Sequence, residues 1–168
     1  MIRALLALGL ALALGACATT PDAPPHPEAR AYSAEADAAA DVDAALARAA
    51  ASGKRVLLVL GANWCHDSRA LAGWLETPRF AALTAAHYVV VFVDVGTPQA
   101  GEGRNLEIAA RFGLDGMKNT PALLVLTAAG EPVNLDSAAG WRNAASRSEA
   151  AIFAELAALA EAPAPTTP

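Results

Sequence analysis

The residues best suited to chemistry lie in one short run, Asn63-Trp64-Cys65-His66-Asp67-Ser68, directly after the apolar run Val56 to Leu60. A thiol placed where a strand hands over to a helix meets unsatisfied N–H groups and the positive end of the helix dipole. Both favour thiolate, the form of cysteine that attacks disulfides and binds soft metals. Ser68 lies one turn on, within reach to donate its hydroxyl to the sulfur. A protonated His66 would add to that stabilisation, and Asp67 would oppose it. The spacing is Cys-x-x-Ser. An oxygen stands where a second sulfur would allow an internal disulfide, so Ser68 cannot resolve a mixed disulfide formed at Cys65.

The elements that must hold this run follow from periodicity. Val42, Ala45, Leu46 and Ala49 have helical spacing, with Gly53 placed to close the helix. Val56 to Leu60 is continuously apolar, as expected of a strand covered on both faces. The helix after Cys65 carries Leu71, Trp74 and Leu75 on one face. Thr77-Pro78 predicts an N-cap and a first-turn proline for a short helix with Phe80 and Leu83. Tyr88 to Val95 is β-branched and aromatic and predicts a second central strand. Leu106, Ala109 and Ala110 predict a helix ending at Gly113. Pro121 to Leu126 reads as a third strand, and Pro132 to Leu135 as a short antiparallel edge strand after the turn Ala129-Gly130. Ser146-Arg147-Ser148-Glu149 has a capping-box pattern ahead of Ile152, Phe153, Leu156 and Leu159. The alternation implies an α/β fold, a central mixed sheet flanked by helices. Trp74 and Trp141 read as packing residues, Trp64 as half-buried beside the sulfur, and Asp94 as a strand-end polar group.

The 168 residues have room for one domain and a targeting segment. Arg3 and the apolar stretch Ala4 to Ala16 form a signal-peptide pattern too short to span a membrane as a helix. They run into Leu14-Gly15-Ala16-Cys17, which resembles a bacterial lipobox, and that resemblance implies cleavage before Cys17 and lipidation of its thiol. Cys65 is then the one free thiol, and no internal disulfide is available. Ala18 after the cysteine, by likeness to enterobacterial sorting, favours the outer membrane. The expected organisation is a signal peptide over 1–16, a lipidated cysteine and Pro-rich tether over 17–34, a domain over 35–161 and a frayed tail over 162–168. A formal net charge of -5 and the lack of a Lys/Arg cluster argue against nucleic-acid binding.

From about residue 50 to 160 the chain resembles the thioredoxin superfamily. The residues that carry the likeness are Val56 to Leu60, Trp64-Cys65-His66-Asp67-Ser68, Phe112-Gly113-Leu114, Thr120-Pro121 with the apolar run to Leu126, and Gly130-Glu131. The resemblance implies a thioredoxin-like fold in which Pro121 is a cis proline facing Cys65, with Trp64, Thr120 and Pro121 lining a substrate groove. It also exposes three departures. Ser68 replaces the second cysteine. Val59 stands where thioredoxins commonly carry a buried carboxylate. Asp115 to Asn119 lengthens the loop before Pro121.

Three functions fit these residues. Cys65, assisted by Ser68 and His66, can act as a monothiol exchange or isomerisation catalyst on envelope proteins with thiols or disulfides, with a small-molecule thiol as a second exchange partner. Alternatively the groove beside Cys65 and Pro121 belongs to a redox-inactive binding module held at the membrane by its lipid. Metal handling through Cys65 and His66 is the weakest, because adjacent residues rarely converge on one ion and no third ligand is visible. No cofactor or metal is expected. The localisation expected is the periplasm-facing cell envelope.

Overall fold

A computed structural model describes residues 26–164. The signal segment, Cys17, the first part of the tether and the end of the tail lie outside the described residues.

The chain begins its regular structure with α1 (Ala38–Ser52), where Asp37 caps the helix by accepting from the Ala40 N–H at 3.0 Å. Val42, Ala45 and Ala49 form its buried stripe, and Gly53 closes it with φ 72°. Next come β1 (Arg55–Gly61), α2 (His66–Glu76), α3 (Pro78–His87) and β2 (Tyr88–Asp94). A small ribbon of β3 (Gly96–Thr97) and β4 (Glu102–Gly103) leads to α4 (Leu106–Arg111), β5 (Ala122–Leu126) and α5 (Glu149–Glu161). Two 3-10 turns, Ala138–Trp141 and Ala144–Ser146, link β5 to α5.

The main sheet has the order β2-β1-β5, with β1 parallel to β2 and antiparallel to β5. β1 is central, and its alternate side chains enter two separate cores. Val56, Leu58 and Leu60 pack with α1 and α4. Leu57 and Val59 pack with Leu71, Phe80, Trp141, Ile152 and Leu156 on the other face. A run apolar at every position is what a strand between two helical layers requires. Each fully buried leucine contributes about 1.5–3 kcal/mol of transfer free energy. The mixed, helix-covered sheet is the architecture expected from the sequence.

Several expectations are corrected. β2 is an edge of the described sheet rather than a central strand, and Val89, Val90 and Phe92 are only partly buried. Pro132 to Leu135 forms no strand. It makes one bridge, Leu126 to Pro132, and then Asn134 takes over the pairing with its side chain. Pro132 has no N–H to donate, which interrupts a ladder at its start. Ser148, not Ser146, caps α5, accepting from the Ala151 N–H at 3.2 Å. Ser146 is occupied within its own turn, donating to the Asn143 carbonyl at 2.9 Å. Thr77 stands at the N-cap position of α3, but its hydroxyl donates backwards to the Trp74 carbonyl at 2.8 Å.

The tether boundary at residue 34 also moves. The chain from Pro27 to Tyr32 lies against α2 as a strap. The Ala29 N–H donates to the Arg69 carbonyl at 3.0 Å, and Tyr32 is buried. A Cβ on Gly73 would fall 2.5 Å from the Pro27 carbonyl, so the strap sits as close to the helix as glycine allows. Apolar burial of Tyr32 and backbone pairing outweigh the extended preference of the neighbouring prolines.

Candidate active site

Cys65 is the N-cap residue of α2, with extended backbone angles, φ -82° and ψ 122°. Its N–H donates to the Ala62 carbonyl at 3.1 Å, which closes a tight turn from β1 into the helix. The sulfur is nearly covered, with the residue 7 % exposed. Across from it the Thr120 carbonyl accepts from Cys65 Sγ at 3.5 Å, and the Thr120–Pro121 peptide is cis. The structure therefore brings together Cys65, Thr120 and Pro121 from segments distant in sequence. β1 and β5 are adjacent antiparallel strands, so the exit of β1 and the entry of β5 lie at one end of the sheet.

Of the other residues of the motif, Ser68 is the one placed differently from expectation. Ser68 is fully buried, yet among the described residues its hydroxyl has no hydrogen-bond partner and does not donate to Cys65. It faces the end of β1 instead. A Cβ on Gly61 would lie 2.7 Å from Ser68 Oγ and 2.6 Å from Tyr32 Cζ. Both groups lie over Gly61, away from the bond to the sulfur that the sequence assigns to the Ser68 hydroxyl. The His66 ring is largely solvent-exposed and pairs with Asp67, Nε2 to Oδ2 at 3.4 Å. Asp67 is itself tied down, its Oδ1 accepting from the Ala145 N–H at 2.8 Å. Trp64 is half-exposed, and its indole N–H donates to the Gly96 carbonyl at 2.9 Å. The β3–β4 ribbon that receives it was not legible as strands. Asp94 organises that ribbon, accepting from the Gly96 N–H at 3.0 Å, with Arg104 Nε 3.5 Å away. This is the strand-end role expected of it. Val59 is fully buried in an apolar cluster, and Thr120 Oγ1 is buried without a partner among the described residues.

Arg69, Glu28 and Tyr32 beside the site carry no signal in the motif, and Asn63 within it takes a role that spacing does not show. Arg69 folds back over the start of α2 and donates from Nη1 to the Asn63 and Trp64 carbonyls at 3.1 and 3.0 Å. Its Nε donates to Glu28 on the strap at 2.8 Å. That bond outweighs the effect of burial and holds the Glu28 carboxyl below the usual carboxylate range. Asn63 donates to the Tyr32 carbonyl at 2.6 Å and accepts from the Tyr32 N–H at 3.3 Å. The Tyr32 hydroxyl donates to the Ser68 carbonyl at 3.3 Å, and burial raises its pKa far above the ordinary value. An aromatic residue inside an Ala/Pro-rich stretch is the one sequence signal that points to packing here.

A family described as thioredoxin-like matches residues 37–128, more than half of the chain. The chain belongs to the thioredoxin-like family. Its fold also superposes on the crystal structure of a disulphide isomerase from Xylella fastidiosa Temecula1, with a TM-score of 0.68 and 36 % identity. That match covers 77 % of this chain and 96 % of the other. No curated protein matches the chain. Both matches support thiol–disulfide oxidoreductase chemistry in general terms, in line with the reading of the motif. In this thioredoxin-like domain the position of the second thiol is filled by the buried, unpartnered Ser68.

Proposed function

We propose that the protein is a monothiol exchange catalyst of the cell envelope, acting on protein thiols and disulfides through Cys65. The observation that carries this reading is the placement of Cys65 Sγ at the N-terminus of α2, facing the Thr120 carbonyl beside Pro121. The disulphide isomerase likeness supports it. The Cys65 thiolate attacks one sulfur of a substrate disulfide. A mixed disulfide forms, and the other substrate sulfur leaves as thiolate and takes a proton from water. A second substrate thiolate then attacks the substrate sulfur of the mixed disulfide and returns Cys65 as thiolate. Electrons balance within the substrate, so isomerisation needs no external reductant. A small-molecule thiol can perform the second attack and leave the substrate mixed with that thiol.

The proposed location rests on the N-terminal pattern alone. Leu14-Gly15-Ala16-Cys17 after the apolar stretch supports lipidation at Cys17 and a periplasm-facing lipoprotein, with Ala18 favouring the outer membrane. Cys17→Ser is expected to release the protein from the membrane fraction. Tight membrane association of that variant would remove the lipid anchor from the proposal.

The catalytic reading is tested with a scrambled disulfide protein as substrate. Wild type is expected to restore native pairing, and Cys65→Ser to lose that activity entirely. Wild type is expected to reduce insulin poorly, and Ser68→Cys to form an internal disulfide and gain dithiothreitol-driven insulin reduction. A second reading, a redox-inactive binding module, is favoured by the near-complete cover of Cys65 beside the half-exposed Trp64. If Ser68→Cys forms its disulfide and still shows no turnover, the groove serves binding and the catalytic reading fails.

A further inference from the structure

The guanidinium of Arg69 serves three acceptors at once: Glu28 Oε2 on the strap, and the carbonyls of Asn63 and Trp64. Those two carbonyls belong to the residues immediately before Cys65. The Arg69 backbone joins the same arrangement, its N–H donating to the Cys65 carbonyl at 3.0 Å and its carbonyl accepting from Ala29 at 3.0 Å. Asn63 closes the other side by pairing with both backbone groups of Tyr32. The Tyr32 ring then fills the space over Gly61, stacks edge-on against Phe92 at 5.4 Å and reaches the Ser68 carbonyl. The strap therefore touches the turn that carries Cys65 both before and after the cysteine.

We propose that Arg69 is a positioning residue for Cys65, and that it works by clasping the Cys65 turn to the Pro27–Tyr32 strap. The proposal rests on the reading of Cys65 as the exchange nucleophile. A guanidinium is suited to this task, because its rigid set of donors serves two neighbouring carbonyls and a carboxylate at once, where an ammonium is a single compact charge. The start of α2 lacks a side-chain cap from Cys65, and Ser68 Oγ has no partner among the described residues, so the Arg69 fork adds to the Cys65–Ala62 backbone bond and the Trp64–Gly96 bond that hold the turn. With the clasp closed, the covered sulfur is presented toward Thr120 in one orientation. With it open, the sulfur is easier to reach and less well aimed.

Full-length protein provides the test, with two readouts: alkylation of Cys65 by iodoacetamide, and kcat and KM for a scrambled disulfide protein. Arg69→Met is expected to speed alkylation about tenfold and to lower kcat about tenfold with KM little changed, since loss of aim costs rate more than binding. Arg69→Lys, which can still donate to one carbonyl, is expected to recover part of both effects. Gly73→Ala forms the second arm. Its methyl group would press on the Pro27 and Glu28 backbone and displace the strap without changing the identity of any clasp side chain. It is expected to move both readouts in the same direction as Arg69→Met. If Arg69→Met fails to fold, Gly73→Ala decides alone. Unchanged alkylation in the folded variants, with at most a lower unfolding midpoint, would mean a purely structural role and overturn the proposal. Absence of isomerisation in wild type would instead defeat the catalytic reading, and alkylation would still decide the clasp.

Discussion

Asn63 and Asn134 make the same kind of contact in two different settings. Each turns its side-chain amide onto a backbone segment, donating to a carbonyl and accepting from an N–H, as a strand partner would. Asn134 does this to β5, donating to Leu123 at 3.0 Å and accepting from Val125 at 2.8 Å, and it is 2 % exposed. Asn63 does it to Tyr32 from a half-buried position beside Cys65. The first completes a sheet edge that Pro132 interrupts. The second fastens a strap to the turn that carries the thiol. Water can replace a lost partner in the second setting and not in the first. One amide therefore secures the fold, and the other secures the site.

The largest effect expected is at the buried amide. Asn134→Ala leaves the Val125 N–H and the Leu123 carbonyl without their partners, at a cost of about 2–4 kcal/mol. A urea unfolding curve should show the midpoint falling at constant m-value. Iodoacetamide alkylation of Cys65, measured well below that midpoint, should not change. Asn63→Ala is expected to invert the pattern, costing only about 0.5–1.5 kcal/mol while speeding alkylation of Cys65. Equal stability losses with equal alkylation rates would break the distinction between the two amides.

The same contrast separates what the sequence displays from what it conceals. The helices and the three main strands were legible because burial repeats with a period. Val42, Ala45 and Ala49 mark α1, and Val56 to Leu60 marks a strand between two layers. Cys65 and Pro121 were legible because strand, thiol and Thr-Pro strand entry come in a fixed order. The Asn63 and Asn134 contacts have no period. Each depends on a side chain meeting a backbone group brought there by tertiary structure, and Asn134 sits in a stretch whose composition reads as a strand. Spacing alone points Ser68 at the sulfur and does not reveal Tyr32, whose hydroxyl donates to the Ser68 carbonyl from 36 residues upstream. Arg69 is not legible in the sequence because an arginine in the first turns of a helix has the pattern of an ordinary surface residue, and Glu28, its partner, lies 41 residues away.

A third prediction tests whether the strap is part of the folded body. The chain has two tyrosines, Tyr32 and Tyr88, and burial raises the pKa of both phenols well above the ordinary value. The Tyr88 hydroxyl donates to the Leu156 carbonyl at 2.6 Å, so one phenol reports on the strap and the other on α5. A raised folded pKa gives a contribution that is complete below the unfolded value of about 10 and is lost as pH rises beyond it. Tyrosinate absorbance should therefore stay low past that value and then appear in one step with the loss of helical circular dichroism. An early half-amplitude rise with the fold intact that vanishes in Tyr32→Phe would show the Tyr32 phenol open to solvent, and the strap would no longer be comparable to the core.

The smallest effect expected concerns Glu28 and sharpens the half-buried side of the comparison. Its folded pKa is lowered, chiefly by the hydrogen bond from Arg69. For a depressed carboxyl the contribution is complete above the unfolded value, about 4.3 for glutamate, and is lost as pH falls through the lower folded value. Acidification should loosen the strap before it unfolds the domain, because protonated Glu28 releases one arm of the Arg69 fork while the apolar cores remain. The local reporter is the Ala29 amide, bonded to the Arg69 carbonyl. Its hydrogen exchange, corrected for intrinsic pH dependence and compared with a core amide such as Val59, should accelerate selectively below about pH 4. In Glu28→Gln the same amide should exchange faster at neutral pH and show no selective acceleration in acid. Parallel loss of protection at Ala29 and Val59 in the wild type would mean that the strap and the core open together. The clasp would then have no separate equilibrium through which to act on Cys65.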